Sequence, residues 1–157
     1  MRFRKLKQQS KKQQQPQQEQ KPQVDYARYV DRIKAFITDM FMIYAPILYI
    51  ITYVFMGTKE DFQDSQFAPL IGVTIYGFIY ALLVSKLGQT PGKKAYTMVV
   101  VDNDTKEKIS FLRALLRFIA FLFSATILIG LLVPFYRKDN RALHDLISGT
   151  VVIKSKE

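Results

Sequence analysis

Residues 35–56 read AFITDMFMIYAPILYIITYVFM, and Asp39 is the only charged residue among these 22. A second run, residues 67–85, reads FAPLIGVTIYGFIYALLVS and contains no charged residue. An α-helix rises about 1.5 Å per residue, so roughly 20 apolar residues span a hydrocarbon core of about 30 Å. The two runs therefore predict two transmembrane helices and an all-α membrane protein.

A third apolar run, residues 114–135, contains Arg117 as its only charge. The loop before this run and the tail after it, which opens with Arg137, are both basic, and basic flanks favour the cytoplasmic side. The sequence leaves two topologies open. The run is either a plain third crossing, or a re-entrant segment that breaks near residues 124–126 or Gly130 and returns to the side from which it entered.

Two short stretches rich in β-branched residues, YTMVVVD at 96–102 and TVVIK at 150–154, predict β-strands. Asp-Asn-Asp at 102–104 is typical of a turn. Two short strands are marginal alone, so we expect them to pair, with residues 106–109 as a candidate third strand. Since the strands can pair only on one side of the membrane, this small cytoplasmic β-unit favours the re-entrant topology.

The charge distribution predicts the orientation. Of the basic residues behind the net charge of +10, ten lie within residues 1–34, whereas the loop 57–66 has one lysine and three acidic residues. By the positive-inside rule, the N-terminus is cytoplasmic and the loop 57–66 is outside. The charge distribution therefore predicts a membrane protein with a cytoplasmic N-terminus.

Composition divides the chain into a tail, residues 1–24, a membrane domain, residues 25–154, and a short end, residues 155–157. The Gln/Lys-rich tail has too little apolar content to order itself, and we expect it to be disordered. It is either solvated or attracted to anionic lipid headgroups. Nucleic acid is not an expected partner, because no folded reader or aromatic stacking platform is present.

Several classes of chemistry are not expected. The chain has no cysteine and a single histidine, His144, so we predict no thiolate or zinc site, and no nucleophile–base pair indicates an enzyme. Residues 88–94, GQTPGKK, are one residue too short for the GxxxxGK(S/T) phosphate loop and follow a helix instead of a strand. A Pro-Gly turn with Lys93 and Lys94 at lipid headgroups explains them better, and no cofactor is predicted.

The charged residues of the membrane domain are the candidate site. An ionised carboxylate in hydrocarbon costs about 2.5 to 3.5 kcal/mol on insertion scales, so Asp39 needs a partner or a water-filled cavity. Arg32 lies on the same helical face but about 10 Å away along the axis, too far for direct pairing. We expect Arg117 to pair with Asp39, and Asp145 to pair with Arg32 or Arg141.

Other positions predict contacts between helices. Gly77, Ala81 and Ser85 form a stripe of small residues that allows another helix to approach closely. Arg113 and Arg117 lie one turn apart, and we expect both on the wet face of an amphipathic helix. Aromatic-belt positions at the membrane interface are expected for Tyr49, Tyr53, Tyr80 and Tyr136.

The chain resembles the RDD family of bacterial membrane proteins, named for one arginine and two aspartates. The resemblance covers about residues 25–154. Its motifs are RIKAFITD at 32–39, GQTPGKK at 88–94, VVVD at 99–102, the Arg113/Arg117 helix and LHDLISGTVV at 143–152. It implies that Arg32, Asp39 and Asp145 are the three naming residues, and it implies a multipass protein with transport of ions or small solutes as its suspected role.

Two functions follow as hypotheses. The first is a non-enzymatic inner-membrane protein that transports a cation or small solute, with Asp39 as the proton or cation site and Arg32, Arg117 and Asp145 tuning it. The second is a membrane scaffold or assembly partner in which these charges only orient helices. Because two or three spans are too few to enclose a pathway, transport requires a homo-oligomer or a membrane protein partner in the lipid bilayer.

Overall fold

The computed structural model describes residues 24–127, 129–138 and 140–155. In chain order the elements are α1 (Tyr29–Met56), α2 (Lys59–Asp64), α3 (Ala68–Leu87), α4 (Pro91–Ala95), β1 (Met98–Asp102), α5 (Phe111–Ile127), α6 (Ile129–Tyr136), α7 (Leu143–Ser148) and β2 (Thr150–Lys154). The described part is therefore mostly helical with one two-stranded sheet, as predicted. The tail, residues 1–24, lies outside it apart from Val24.

Helix α1 is continuous but not uniform. It is α-helical over Tyr29–Asp39 and Ala45–Ile50, and π-helical over Met40–Tyr44 and Ile51–Met56. Pro46 follows the first π-helical part, and proline has no N–H to donate to the preceding turn. A wider turn next to Pro46 absorbs that missing hydrogen bond without ending the helix.

Helices α1 and α3 are both long and apolar enough to cross a membrane. Large apolar side chains on both helices face outward, including Phe41 and Phe55 on α1 and Phe78 on α3. Exposed apolar surface of this extent marks an interaction with lipid or another protein. The two predicted transmembrane runs thus correspond to two candidate membrane-spanning helices.

Helices α3 and α5 pack closely where the small-residue stripe begins. An added Cβ at Gly77 would lie 2.3 Å from the ring of Phe118, so a larger residue could not keep this contact. Tyr76 and Tyr80 surround the same ring, with centroids 5.7 and 5.8 Å from that of Phe118. The close approach predicted for the stripe is confirmed at Gly77.

The predicted strand pairing is confirmed. Strands β1 and β2 are antiparallel, with Met98 opposite Lys154 and Asp102 opposite Thr150. The expected third strand at residues 106–109 is wrong. Asp102 N donates to Glu107 O at 2.8 Å, which closes the chain into a loop directly after β1.

The described residues of the third apolar run belong to α5 and α6, and residue 128 lies outside the described part of the chain. Arg113, in the first turn of α5, pairs with Asp102 of β1. At the other end, the ring of Phe135 on α6 lies 4.9 Å from that of Tyr29, the first residue of α1. Ala27 N, just before α1, donates to Val152 O of β2 at 3.1 Å. Both ends of the α5–α6 segment therefore lie beside the sheet.

Candidate functional site

Asp39 is held by the first turn of α4. Thr90 Oγ1 donates to one of its carboxylate oxygens at 2.5 Å, and Gly92 N donates to the other at 2.8 Å. The residue is only 1% exposed. The expected pairing of Asp39 with Arg117 is wrong, because these two neutral donors take both oxygens and Arg117 has a different carboxylate as its partner.

Close packing of α4 on α1 makes this arrangement possible. An added Cβ at Gly92 would lie 2.1 Å from Ala35 O and 2.9 Å from the Asp39 carboxyl carbon. Thr90 is the N-cap of α4 and accepts from Lys93 N at 3.4 Å, while Pro91 occupies the first helical position. Residues 90–92, Thr-Pro-Gly, therefore begin α4 and also provide the donors that bind Asp39.

Asp145 is the centre of a second buried site. Arg32 Nη1 lies 2.5 Å from Asp145 Oδ2, and Arg117 pairs with Oδ1. The backbone N–H of Ala142 also donates to Oδ2, at 3.1 Å. Asp145 is fully buried. The expected pairing of Asp145 with Arg32 is confirmed, and the second arginine of this site is Arg117.

Arg117 extends the Asp145 site to two further elements. It donates through Nε to Tyr80 Oη on α3 at 3.0 Å, and through Nη1 to Thr150 Oγ1 on β2. The residue is only 3% exposed, so its expected position on a wet face is wrong. Its guanidinium has partners on α3, α7 and β2, and these replace water. Tyr80, expected at the membrane interface, is also buried because it belongs to this site.

The charges of the Asp145 site determine two protonation states. Burial alone would raise the pKa of Asp145, but Arg117, His144 and Arg32 hold that pKa well below its usual range. His144 Nε2 lies 3.5 Å from Asp145 Oδ1. Burial lowers the pKa of His144 to about 3, although Asp145 opposes this shift. At neutral pH the site therefore contains a carboxylate, two guanidinium groups and a neutral imidazole.

A cavity of about 330 Å³ lies beside this site, between α1, α3, α4, α5 and α7. Its charged lining consists of three basic side chains, Arg32, Lys93 and Arg117. The remaining wall is mainly aromatic and aliphatic. Over the described residues, no group of three or more His, Cys, Asp or Glu side chains could hold a metal ion.

The RDD family profile matches residues 26–149 of the chain. The chain belongs to the RDD family. A relative from Haemophilus influenzae, described as an uncharacterized protein, is 27% identical over 104 residues, which cover 61% of this chain and 64% of the relative. The chain thus spans less than two thirds of that relative. No solved structure matches the chain.

As an RDD protein with two helices able to span a bilayer, the chain is a membrane protein. The three residues that the family resemblance singles out do not form one cluster. Arg32 and Asp145 are paired, whereas Asp39 lies in the separate α4 contact. Sequence reasoning missed Thr90 and Gly92 as the residues that hold Asp39. The Thr-Pro-Gly sequence, a helix-start signature, was the available signal.

Proposed function

We propose that this RDD protein is a non-enzymatic scaffold or assembly partner in the bacterial inner membrane, and that its charged network is structural. The main support for this proposal is that Asp145, on α7, pairs with arginines from two different helices, α1 and α5. Arg117 and Arg32 also bond to β2. These contacts fasten the β-unit to the helices, which a platform for another protein requires.

The geometry around Asp39 gives transport of a cation less support. A cation site needs carboxylate or carbonyl oxygens directed at the ion. Both Asp39 oxygens accept hydrogen bonds from Thr90 and Gly92, and both Asp145 oxygens face arginine nitrogens. Transport of a cation or small solute is the alternative function, and flux across liposomes would reveal it.

We further propose that the N-terminus and the β-unit are cytoplasmic and that α5 and α6 form a re-entrant hairpin. The pairing of β1 with β2 supports this topology, as do the contacts of Arg113 and Phe135 at the sheet end. The outward apolar faces of α1 and α3 would then contact lipid, a second copy of the chain or another membrane protein. We propose anionic headgroups as the partner of the basic tail.

The topology is tested with single cysteines, since the chain has none of its own. An impermeant thiol reagent applied outside intact cells should label Ser65→Cys, between α2 and α3. It should not label Asn103→Cys or Ser155→Cys. Labelling after the membrane is permeabilised is the control for reactivity. External labelling of Ser155→Cys, with Asn103→Cys protected, would replace the hairpin with a plain third crossing.

The scaffold and transport functions are separated by flux measurements in liposomes. For the purified full-length protein, we expect Na⁺, K⁺ and H⁺ flux equal to that of protein-free liposomes. Flux that is present in the native protein and abolished in a folded Asp39→Asn variant would establish transport and overturn the scaffold proposal.

A photo-crosslinking amino acid at Phe41 or Phe55 tests the scaffold function directly in native membranes. Both side chains face outward on α1. We expect a protein adduct of one discrete mass at one of these positions, with Lys59, on the short helix α2, as the matched control site. Adducts with lipid alone at both apolar positions would argue against a protein partner on this face.

A further inference from the structure

The cavity beside the Asp145 site has an unusual charge pattern. Three cationic side chains line it, yet none of the described residues that line it is acidic. The Asp145 carboxylate pairs with two of these cations, Arg32 and Arg117, and the Asp39 carboxylate is bound by Thr90 and Gly92. A ligand in the cavity would therefore meet positive charge and hydrogen-bond donors.

Lys93 is the cation that can serve such a ligand. Its ammonium lies 5.0 Å from the centroid of the Tyr80 ring, a cation–π contact. Within the described part of the chain, no carboxylate lies within 4.0 Å of it, whereas Arg117 is paired with Asp145. The sequence alone assigned Lys93 and Lys94 the same role at headgroups. The structure separates them, because Lys93 lines the cavity and Lys94 is exposed outside it.

Tyr80 adds a second group suited to an anion. Its hydroxyl oxygen accepts from Arg117 Nε at 3.0 Å, and among the described residues nothing accepts its own O–H. An anion near Lys93 could accept that hydrogen bond. A phosphate oxygen is suited to an ammonium and a phenol donor, since hydrogen bonds that involve an ionised group are the stronger ones.

The rest of the wall is suited to hydrocarbon. It includes Ile33 and Phe36 of α1 together with Phe118 and Phe121 of α5. Ile33 and Phe36 are also 41% and 37% exposed, and they belong to a helix able to span the membrane. The cavity is therefore accessible along an apolar part of α1, which a free anion would not need.

We propose that this cavity binds the phosphate of an anionic phospholipid, with Lys93 and Tyr80 as its contacts and with the acyl chain along Phe36 and Phe121. The volume lies at the lower end of the range for small-ligand sites, about 300–1,000 Å³, which suits a headgroup better than a whole lipid. The proposal goes beyond the scaffold function and does not depend on it.

The test is native mass spectrometry of the purified full-length protein titrated with phosphatidylglycerol. Lys93→Gln should weaken binding by about fivefold, since one basic residue contributes about 1 kcal/mol at a membrane surface. Lys93→Arg should retain binding. Lys94→Gln removes the same charge one residue away and should leave the affinity unchanged. Equal losses in Lys93→Gln and Lys94→Gln would show general surface attraction and overturn the proposal.

Two further ligands identify the source of the phosphate. Phosphatidylcholine has the same phosphate but no net charge, because its quaternary ammonium offsets the phosphate, so it should bind more weakly than phosphatidylglycerol to the native protein and should lose less affinity in Lys93→Gln. Inorganic phosphate at the same concentration should not displace phosphatidylglycerol. Displacement by inorganic phosphate would overturn the lipid proposal and identify a site for a free anion.

Discussion

Asp39 and Asp145 are both buried carboxylates, but the molecule satisfies them by different means. Asp39 accepts hydrogen bonds from a hydroxyl and a backbone N–H, which are neutral. Asp145 pairs with two arginines and accepts from one backbone N–H. Asp39 therefore joins α1 to α4 alone, whereas Asp145 and its arginines connect α1, α3, α5, α7 and β2.

This difference determines how strongly the removal of each carboxylate destabilises the protein. Without Asp39, two neutral donors lose an acceptor, and water or a small shift of α4 can compensate. Without Asp145, the buried guanidinium of Arg117 loses its carboxylate partner and Arg32 loses one of its partners, and a buried charge without its counter-charge is among the most destabilising defects in a protein. Comparable burial thus does not imply comparable importance.

The largest expected effect is that of Asp145→Ala. The variant leaves the buried charge of Arg117 without its carboxylate and removes one partner of Arg32, so we expect a loss of about 3–5 kcal/mol in the free energy of unfolding, or no folded protein. Thermal unfolding in detergent and the yield from size-exclusion chromatography measure it. Asp64→Ala, in the exposed helix α2, is the matched control. A loss of stability no greater than that of the control would show that Asp145 is not essential to the stability of the fold.

Asp39→Asn should have a smaller effect. The amide oxygen can still accept from one donor, while its NH₂ group faces the other, so about 1–3 kcal/mol should be lost. The same thermal unfolding measurement applies, with Asp39→Ala as the more severe variant. If Asp39→Asn destabilised the protein as much as Asp145→Ala, the contrast between neutral and ionic compensation would be wrong.

The parts of the fold that follow from local composition could be predicted. The two apolar runs gave α1 and α3 because length and hydropathy suffice for a spanning helix. The strands followed from β-branched residues, and of the predicted pair, residues 96–102 and 150–154, the structure pairs 98–102 with 150–154. The shape of the third run could not be predicted, because a re-entrant segment and a plain crossing have similar hydropathy.

The candidate site was harder, since it depends on contacts between distant segments. Arg117 was assigned to Asp39 because both are isolated charges in apolar runs, and spacing along the chain says nothing about which helices meet. Thr90 is uncharged, so a search of the sequence for opposite charges could not identify it as a partner of Asp39. The pair Arg32–Asp145 was predictable only because few oppositely charged residues were available.

His144 provides a pH-dependent test of the Asp145 site. Its pKa is about 3 in the folded protein and about 6.5 when unfolded, so below pH 6.5 the unfolded state binds more protons. Stability should fall as the pH decreases, by up to about 1.4 kcal/mol between pH 7.5 and pH 5.5. The lowered pKa of Asp145 affects stability only below about pH 4, the usual range of a free carboxyl.

His144→Gln isolates this contribution, because the chain has no other histidine. The variant should unfold at nearly the same temperature at pH 7.5 and pH 5.5, whatever its overall stability. A pH dependence as steep as that of the native protein would show that His144 is not the titrating group.

The smallest effect is expected for Arg113→Gln, and it extends the comparison to two arginines one turn apart on α5. Arg113 pairs with Asp102, but its side chain is 45% exposed, whereas Arg117 is 3% exposed. Exposed ion pairs contribute about 0–1 kcal/mol, because water competes with them and screens them. Arg117→Gln leaves the fully buried Asp145 with one arginine fewer, so its loss in thermal unfolding should be severalfold larger. Equal losses of stability in the two glutamine variants would show that burial does not determine how much each ion pair contributes.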